Sequence, residues 1–84
     1  MQEVIRENVE TYAEKHGFVL IEETEQHLAY HKLGRRGIII KMVFSIQAGK
    51  GYVQLSAKID NDLVWSFGDY DWEVIQTVLI GWKS

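Results

Sequence analysis

The stretch Gly37–Asp60, GIIIKMVFSIQAGKGYVQLSAKID, decides the fold. Side chains alternate across a strand, so Ile38, Ile40, Met42, Phe44 and Ile46 share one face of the first half. In the second half Val53, Leu55, Ala57 and Ile59 share a face, and Tyr52, Gln54, Ser56, Lys58 and Asp60 share the other. Helical spacing does not produce this alternation, and Ala48-Gly49-Lys50-Gly51 between the halves accepts the positive φ of a tight turn. The stretch therefore predicts a two-stranded hairpin.

Outward toward the N-terminus, Gly34-Arg35-Arg36-Gly37 reads as another hairpin turn, with two arginines at its tip. It follows a strand over His27–Leu33, with Leu28 and Tyr30 facing one way and His27, Ala29, His31 and Leu33 the other. Phe18–Ile21 is a further strand, leading into a polar turn over Glu22–Glu25. Residues 2–15 carry a helical stripe of Met1, Ile5, Val9, Tyr12, Ala13 and His16, closed by Gly17. Toward the C-terminus, Asn61-Asp62 breaks the sheet and Leu63–Phe67 reads as a short fifth strand. A last helix starts at Gly68–Asp71, capped by Asp69 or Asp71, and turns Trp72, Val74, Ile75, Val78, Leu79 and Trp82 to one side. The expectation is one α+β domain over residues 1–84. Its four- to five-stranded antiparallel meander carries an N-terminal and a C-terminal helix on one face, the face of Ile38, Ile40, Met42, Phe44, Val53, Leu55, Ala57 and Ile59.

Composition narrows the class. In 84 residues there is no cysteine and no proline, 46% are apolar and 25% charged. Disulfides and cysteine-based metal sites are excluded, and the balance is that of a folded globular chain. The polar N-terminus does not read as a signal peptide, no run of about 18 apolar residues is present to span a membrane, and the expected location is cytoplasmic.

Charge is segregated beneath a net of −3. Residues 1–25 hold seven acids and two bases, residues 26–59 hold six bases and no acid, and residues 60–84 hold five acids and one base. The sheet is thus basic and its flanks acidic. The face of the central hairpin turned from the core presents Ile39, Lys41, Val43, Tyr52 and Lys58, with Arg35 and Arg36 at a tip. Apolar Ile39 and Val43 around a lysine suit an interaction surface, covered by a protein partner or by a homodimer meeting face to face or edge to edge. Trp65, Phe67 and Tyr70 make a dense aromatic run, in which Trp65 and Tyr70 are candidate edges of a docking groove.

Nothing in the sequence specifies chemistry. His27 and His31 lie about 13 Å apart if in a strand and have no third ligand. The glycine pairs are hairpin turns without the strand-to-helix context of a phosphate loop, and the serines lack an activating base. The expected function is a non-catalytic adaptor or inhibitor without metal or cofactor, binding a protein through Arg35, Arg36, Ile39, Lys41, Val43, Tyr52, Lys58, Trp65 and Tyr70. A second reading is a nucleic-acid binder using the basic face with Tyr52 as a stacking ring. A third is a small-molecule site under the aromatic run.

Overall fold

The computed structural model describes residues 2–81. A helix α1 (Arg6–Lys15) is followed by strands β1 (Val19–Thr24), β2 (His27–Leu33), β3 (Ile39–Gln47), β4 (Lys50–Ile59) and β5 (Asp62–Asp69), and by a helix α2 (Trp72–Gly81). The strands form one antiparallel sheet in chain order, β1-β2-β3-β4-β5. Among the described residues no helix is long and apolar enough to cross a membrane.

The central hairpin pairs Ile40 with Ala57, Met42 with Leu55 and Phe44 with Val53, so the alternating apolar residues meet across the two strands. Its turn is the two residues Ala48 and Gly49, both left-handed (φ 52° and 75°), which matches the twist of the strands they join. Gly51 belongs to β4 and not to the turn.

Both helices cover the same side of this sheet. Val9 and Ala13 of α1 and Trp72, Ile75 and Leu79 of α2 form one buried cluster with Leu28, Tyr30, Met42, Phe44, Val53 and Leu55. Each fully buried side chain of the size of Leu or Met stabilises the fold by about 1.5–3 kcal/mol, so this layer supplies most of the favourable burial. The opposite face carries no helix.

The first helix is shorter than its periodicity suggests. Ile5 is extended (φ −122°, ψ 158°) and stands at the N-cap. Its N–H donates to Asn8 Oδ1 at 3.1 Å, and the Asn8 N–H donates to its carbonyl at 3.1 Å. Residues 2–4 run as a strap along the β5–α2 junction. Trp72 N–H donates to the Gln2 carbonyl (2.8 Å), Gln2 N–H to Asp71 Oδ1 (3.2 Å) and Val4 N–H to the Tyr70 carbonyl (3.4 Å). The extended backbone turns Val4 into the core at 1% exposure and leaves Ile5, expected inside, 49% exposed. Met1 lies outside the described residues.

Other boundaries shift for local reasons. β1 continues through Glu22–Thr24, expected as a turn, because these residues pair with Ala29, Leu28 and His27 of β2. The Arg6 guanidinium ties down the end by donating to the Thr24 and Glu25 carbonyls (2.9 and 3.0 Å) and to Glu23 Oε2 (2.7 Å). β5 spans eight residues and is longer than Leu63–Phe67. Asp71 caps α2 by accepting the Glu73 N–H at 3.0 Å, while Asp69 accepts the Asp71 N–H at 2.8 Å. The buried stripe of α2 is Trp72, Ile75 and Leu79, narrower than expected: Val74 is exposed, and Trp82 lies outside the described residues. Ile46 and Ile59 sit at strand ends and are also exposed, and Ile38 precedes β3 and is half-buried.

Gly51 is where the strap crosses the sheet. A Cβ there would collide with the Val4 carbonyl oxygen and lie 2.9 Å from its carbon, both backbone atoms that no rotamer change can move. Gly51→Ala is expected to cost about 1–3 kcal/mol, the range of core overpacking, in chemical denaturation. Hydrogen exchange at the Val4 and Trp72 amides should accelerate more than at the Met42–Leu55 pair.

Candidate interaction surface

The register places the uncovered face residue by residue. On β3, Ile39 lies between Leu33 and Lys58, Lys41 between His31 and Ser56, and Val43 between Ala29 and Gln54. Ile39, Lys41, Val43, Tyr52 and Lys58 are therefore brought together on one face, as the alternation requires. Lys41 and Val43 are half-buried by their cross-strand neighbours, while Ile39 and Lys58 are exposed. The cations Lys41, Lys50 and Lys58 dominate the face. The Glu22 carboxylate, opposite Ala29, lies 2.9 Å from His27 Nδ1 without the geometry of a hydrogen bond.

Tyr52 is built into this face and does not stand out from it. Its hydroxyl donates to Gln54 Oε1 at 2.8 Å, and Gln54 Nε2 donates to Ser66 Oγ at 3.0 Å. Its ring centroid lies 4.9 Å from that of Tyr70. The ring crosses β5 at Gly68, where a Cβ would collide with the Tyr52 hydroxyl and come within 2.6 Å of Gln54 Oε1. Two rings held this way form a rigid aromatic corner, which loses little side-chain freedom when a partner packs on it.

Arg35 and Arg36 occupy a 3-10 turn over Arg35–Gly37, held by Gly34 N–H to the Ile38 carbonyl (2.7 Å) and Ile38 N–H to the Arg35 carbonyl (3.2 Å). Arg36 is left-handed (φ 59°), and both side chains are exposed, with no ion pair or side-chain hydrogen bond among the described residues. They lie beyond the Leu33–Ile39 end of the face and are not part of its centre.

The aromatic run does not form one groove. Trp65 pairs with Ala57 and Phe67 with Leu55, so both belong to the helix side, their rings stacked at 6.3 Å. Tyr70 belongs with Tyr52 on the other face. The expectation that Trp65 and Tyr70 edge one site is corrected by the same period of two that built the sheet. A separate pocket lies elsewhere, between the C-terminal ends of the two helices: about 310 Å³, lined by Tyr12, His16, Phe18, Lys32, Ile40, Leu79 and Ile80. Lys32 Nζ sits 5.6 Å above the Phe18 ring there, and His16 stacks on Tyr12 at 4.1 Å.

Sequence reasoning missed a groove between α1 and β1, about 520 Å³, lined by Glu10, Thr11, Glu14, Phe18, Leu20 and Tyr30. Burial, reinforced by Glu10 and Glu23 and opposed by Arg6, pushes the Tyr30 phenol above its ordinary value, and burial does the same for Tyr12. Both phenols stay neutral at physiological pH. The signal was present: Tyr30 alternates with Leu28 toward the helices, one turn of which carries Glu10 and Glu14. Among the described residues no three His, Asp or Glu side chains converge in a metal-binding group.

Gly68→Ala should push the Tyr52 ring off β5 and cost about 0.5–1.5 kcal/mol, the worth of the hydrogen bond it breaks. In Gly68→Ala/Tyr52→Ala the two losses should fall short of additive, because the clash partner has gone, as a double-mutant denaturation cycle would read. Compared with protein-family models, curated protein sequences and solved structures, the chain matches none, so its function rests on the chemistry of these surfaces.

Proposed function

We propose that this chain is a non-catalytic interaction module, acting in the cytoplasm, which binds an acidic protein partner through the open face of its sheet. The observation that carries the reading is the placement of both helices on one side. It leaves the row Ile39-Lys41-Val43 uncovered in the middle of the other side, bordered by Lys58 and by the Tyr52–Tyr70 corner. An apolar row set among cations suits a partner offering both apolar contact and carboxylates. The hydroxyls of Ser45 and Ser66 are engaged by the amides of Gln47 and Gln54, which fits a binding face better than a nucleophilic one.

The nucleic-acid reading is less well supported by this geometry. Tyr52 lies across Gly68 against Tyr70 and so offers no free ring for a base to stack on. Face-to-face self-association is also disfavoured, since two copies of a face dominated by Lys41, Lys50 and Lys58 repel.

A synthetic peptide alternating glutamate with leucine and phenylalanine is a suitable probe. Titrated into labelled protein, it should shift the amide resonances of Ile39, Lys41, Val43, Tyr52 and Lys58. Lys41→Glu/Lys58→Glu should weaken it about tenfold, equivalent to roughly 1.4 kcal/mol. Absent shifts, or shifts confined to α1, would overturn the reading. Tighter binding to single-stranded RNA, with affinity falling steeply as salt rises, would replace it with the nucleic-acid one.

A further inference from the structure

The groove between α1 and β1 has the chemistry of an arginine receptor, and Arg35 and Arg36 make no ion pair or side-chain hydrogen bond among the described residues. Glu10 and Glu14 lie one helical turn apart on its wall. Glu10 is 3.5 Å from Arg6, whereas Glu14 has no ion pair among the described residues. Tyr30 lines the same groove at 8% exposure, and its hydroxyl makes no hydrogen bond among the described residues. The ring of this phenol is buried, and its hydroxyl lies at the rim beside two carboxylates. Together they leave acceptor capacity that a guanidinium, with five donors and no acceptor, fills well.

The sheet register puts donor and receptor at one end of the molecule. Val19 pairs with His31, so the start of β1 lies beside the part of β2 that leads through Leu33 into the Arg35–Gly37 turn. Around that end the apolar surface is unusually bare: Val19 is 57%, Leu20 43% and Leu33 69% exposed. The register shift between Leu20 and Glu22 breaks the β1 edge, which disfavours simple sheet extension there and favours contact through side chains.

We propose that a second copy of this chain docks here, each copy placing its Arg35–Arg36 tip in the Glu10/Glu14/Tyr30 groove of the other. A two-fold axis near the shared end satisfies both tips at once and covers Leu20 beside the groove. The open sheet face lies outside this contact and stays available to a different partner.

The test is sedimentation equilibrium with charge-swapped variants. The wild type should show twice the chain mass of 9.8 kDa at about 50 mM salt and fall toward one mass at about 500 mM, where the screening length is roughly 4 Å. Arg35→Glu/Arg36→Glu and Glu10→Arg/Glu14→Arg should each be monomeric, because tip and groove then carry like charge. Mixed in equal amounts they should recover the dimer mass, since both contacts in the mixed pair are again opposite in sign. All four side chains are exposed, and circular dichroism should show the fold intact. The gentler Glu14→Gln and Arg36→Gln should each weaken dimerisation severalfold, while Lys41→Glu/Lys58→Glu should leave it unchanged. A wild type that stays monomeric at high concentration overturns the proposal. So does a wild-type dimer whose charge-swapped variants still dimerise alone or fail to recover on mixing, because its contact then lies elsewhere.

Discussion

The crossing of the N-terminal strap over Gly51 is the constraint on which the rest of the structure depends. Three short hydrogen-bonded residues, Gln2–Val4, lie between β4 and the β5–α2 junction. One side of the strap needs the missing Cβ of Gly51, and the other satisfies the Trp72 amide at the start of α2. α1 begins two residues after the strap ends, so the entry points of both helices are set by the same backbone segment. Orphan amides at a helix start need partners. Here Asp71 serves the Glu73 amide and Gln2 the Trp72 amide, which ties the last helix to the first residues of the chain. Both helices then pack on one face, where Val9, Ala13, Trp72, Ile75 and Leu79 share one buried cluster, and the other face is left bare.

That asymmetry gives the two faces different electrostatics. Glu7, Glu10 and Glu14 stand on the outer surface of α1, and Lys41, Lys50 and Lys58 on the sheet face behind it. The sheet lies between the two sets, so few of the charges meet. Among the described residues the close ion pairs are those of Arg6 with Glu10 and Glu23, and Glu22 lies beside His27. Exposed pairs of this kind contribute little stability, about 0–1 kcal/mol each. The segregation therefore matters more for what each face attracts than for holding the fold together.

Much of the fold was legible because one signal, the period of two, is local. It assigned Ile40, Met42, Phe44, Val53 and Leu55 to the core and Ile39, Lys41, Val43, Tyr52 and Lys58 to the open face, and the register agrees. The misreadings came from partners distant in sequence. Helical spacing alone prefers Ile5 with Val9, yet residues 2–5 are extended because Asp71 and Gly51, far along the chain, hold them so. Glu22–Thr24 reads as a turn, yet it pairs with β2, and Arg6, seventeen or more residues earlier, binds the end of the strand. The aromatic run was misread for another reason. Trp65 and Phe67 share a face that Tyr70 does not, which the period of two already implies once β5 extends to Asp69.

The α1–β1 groove shows how a surface can stay hidden in a sequence whose elements are read correctly. Glutamates on the outer side of a helix read as solvated charge, and Tyr30 reads as core because it alternates with Leu28. Each reading is right for its own residue: the ring of Tyr30 is buried, and Glu10 and Glu14 are exposed. Only the crossing of α1 over the β1 edge sets them side by side, so that an apolar floor meets two carboxylates. A tyrosine at such a boundary buries its ring and keeps its hydroxyl at the rim. The groove thus follows from packing an acidic helix on a basic sheet: Glu10 is met by Arg6 at 3.5 Å, and Glu14 makes no ion pair among the described residues.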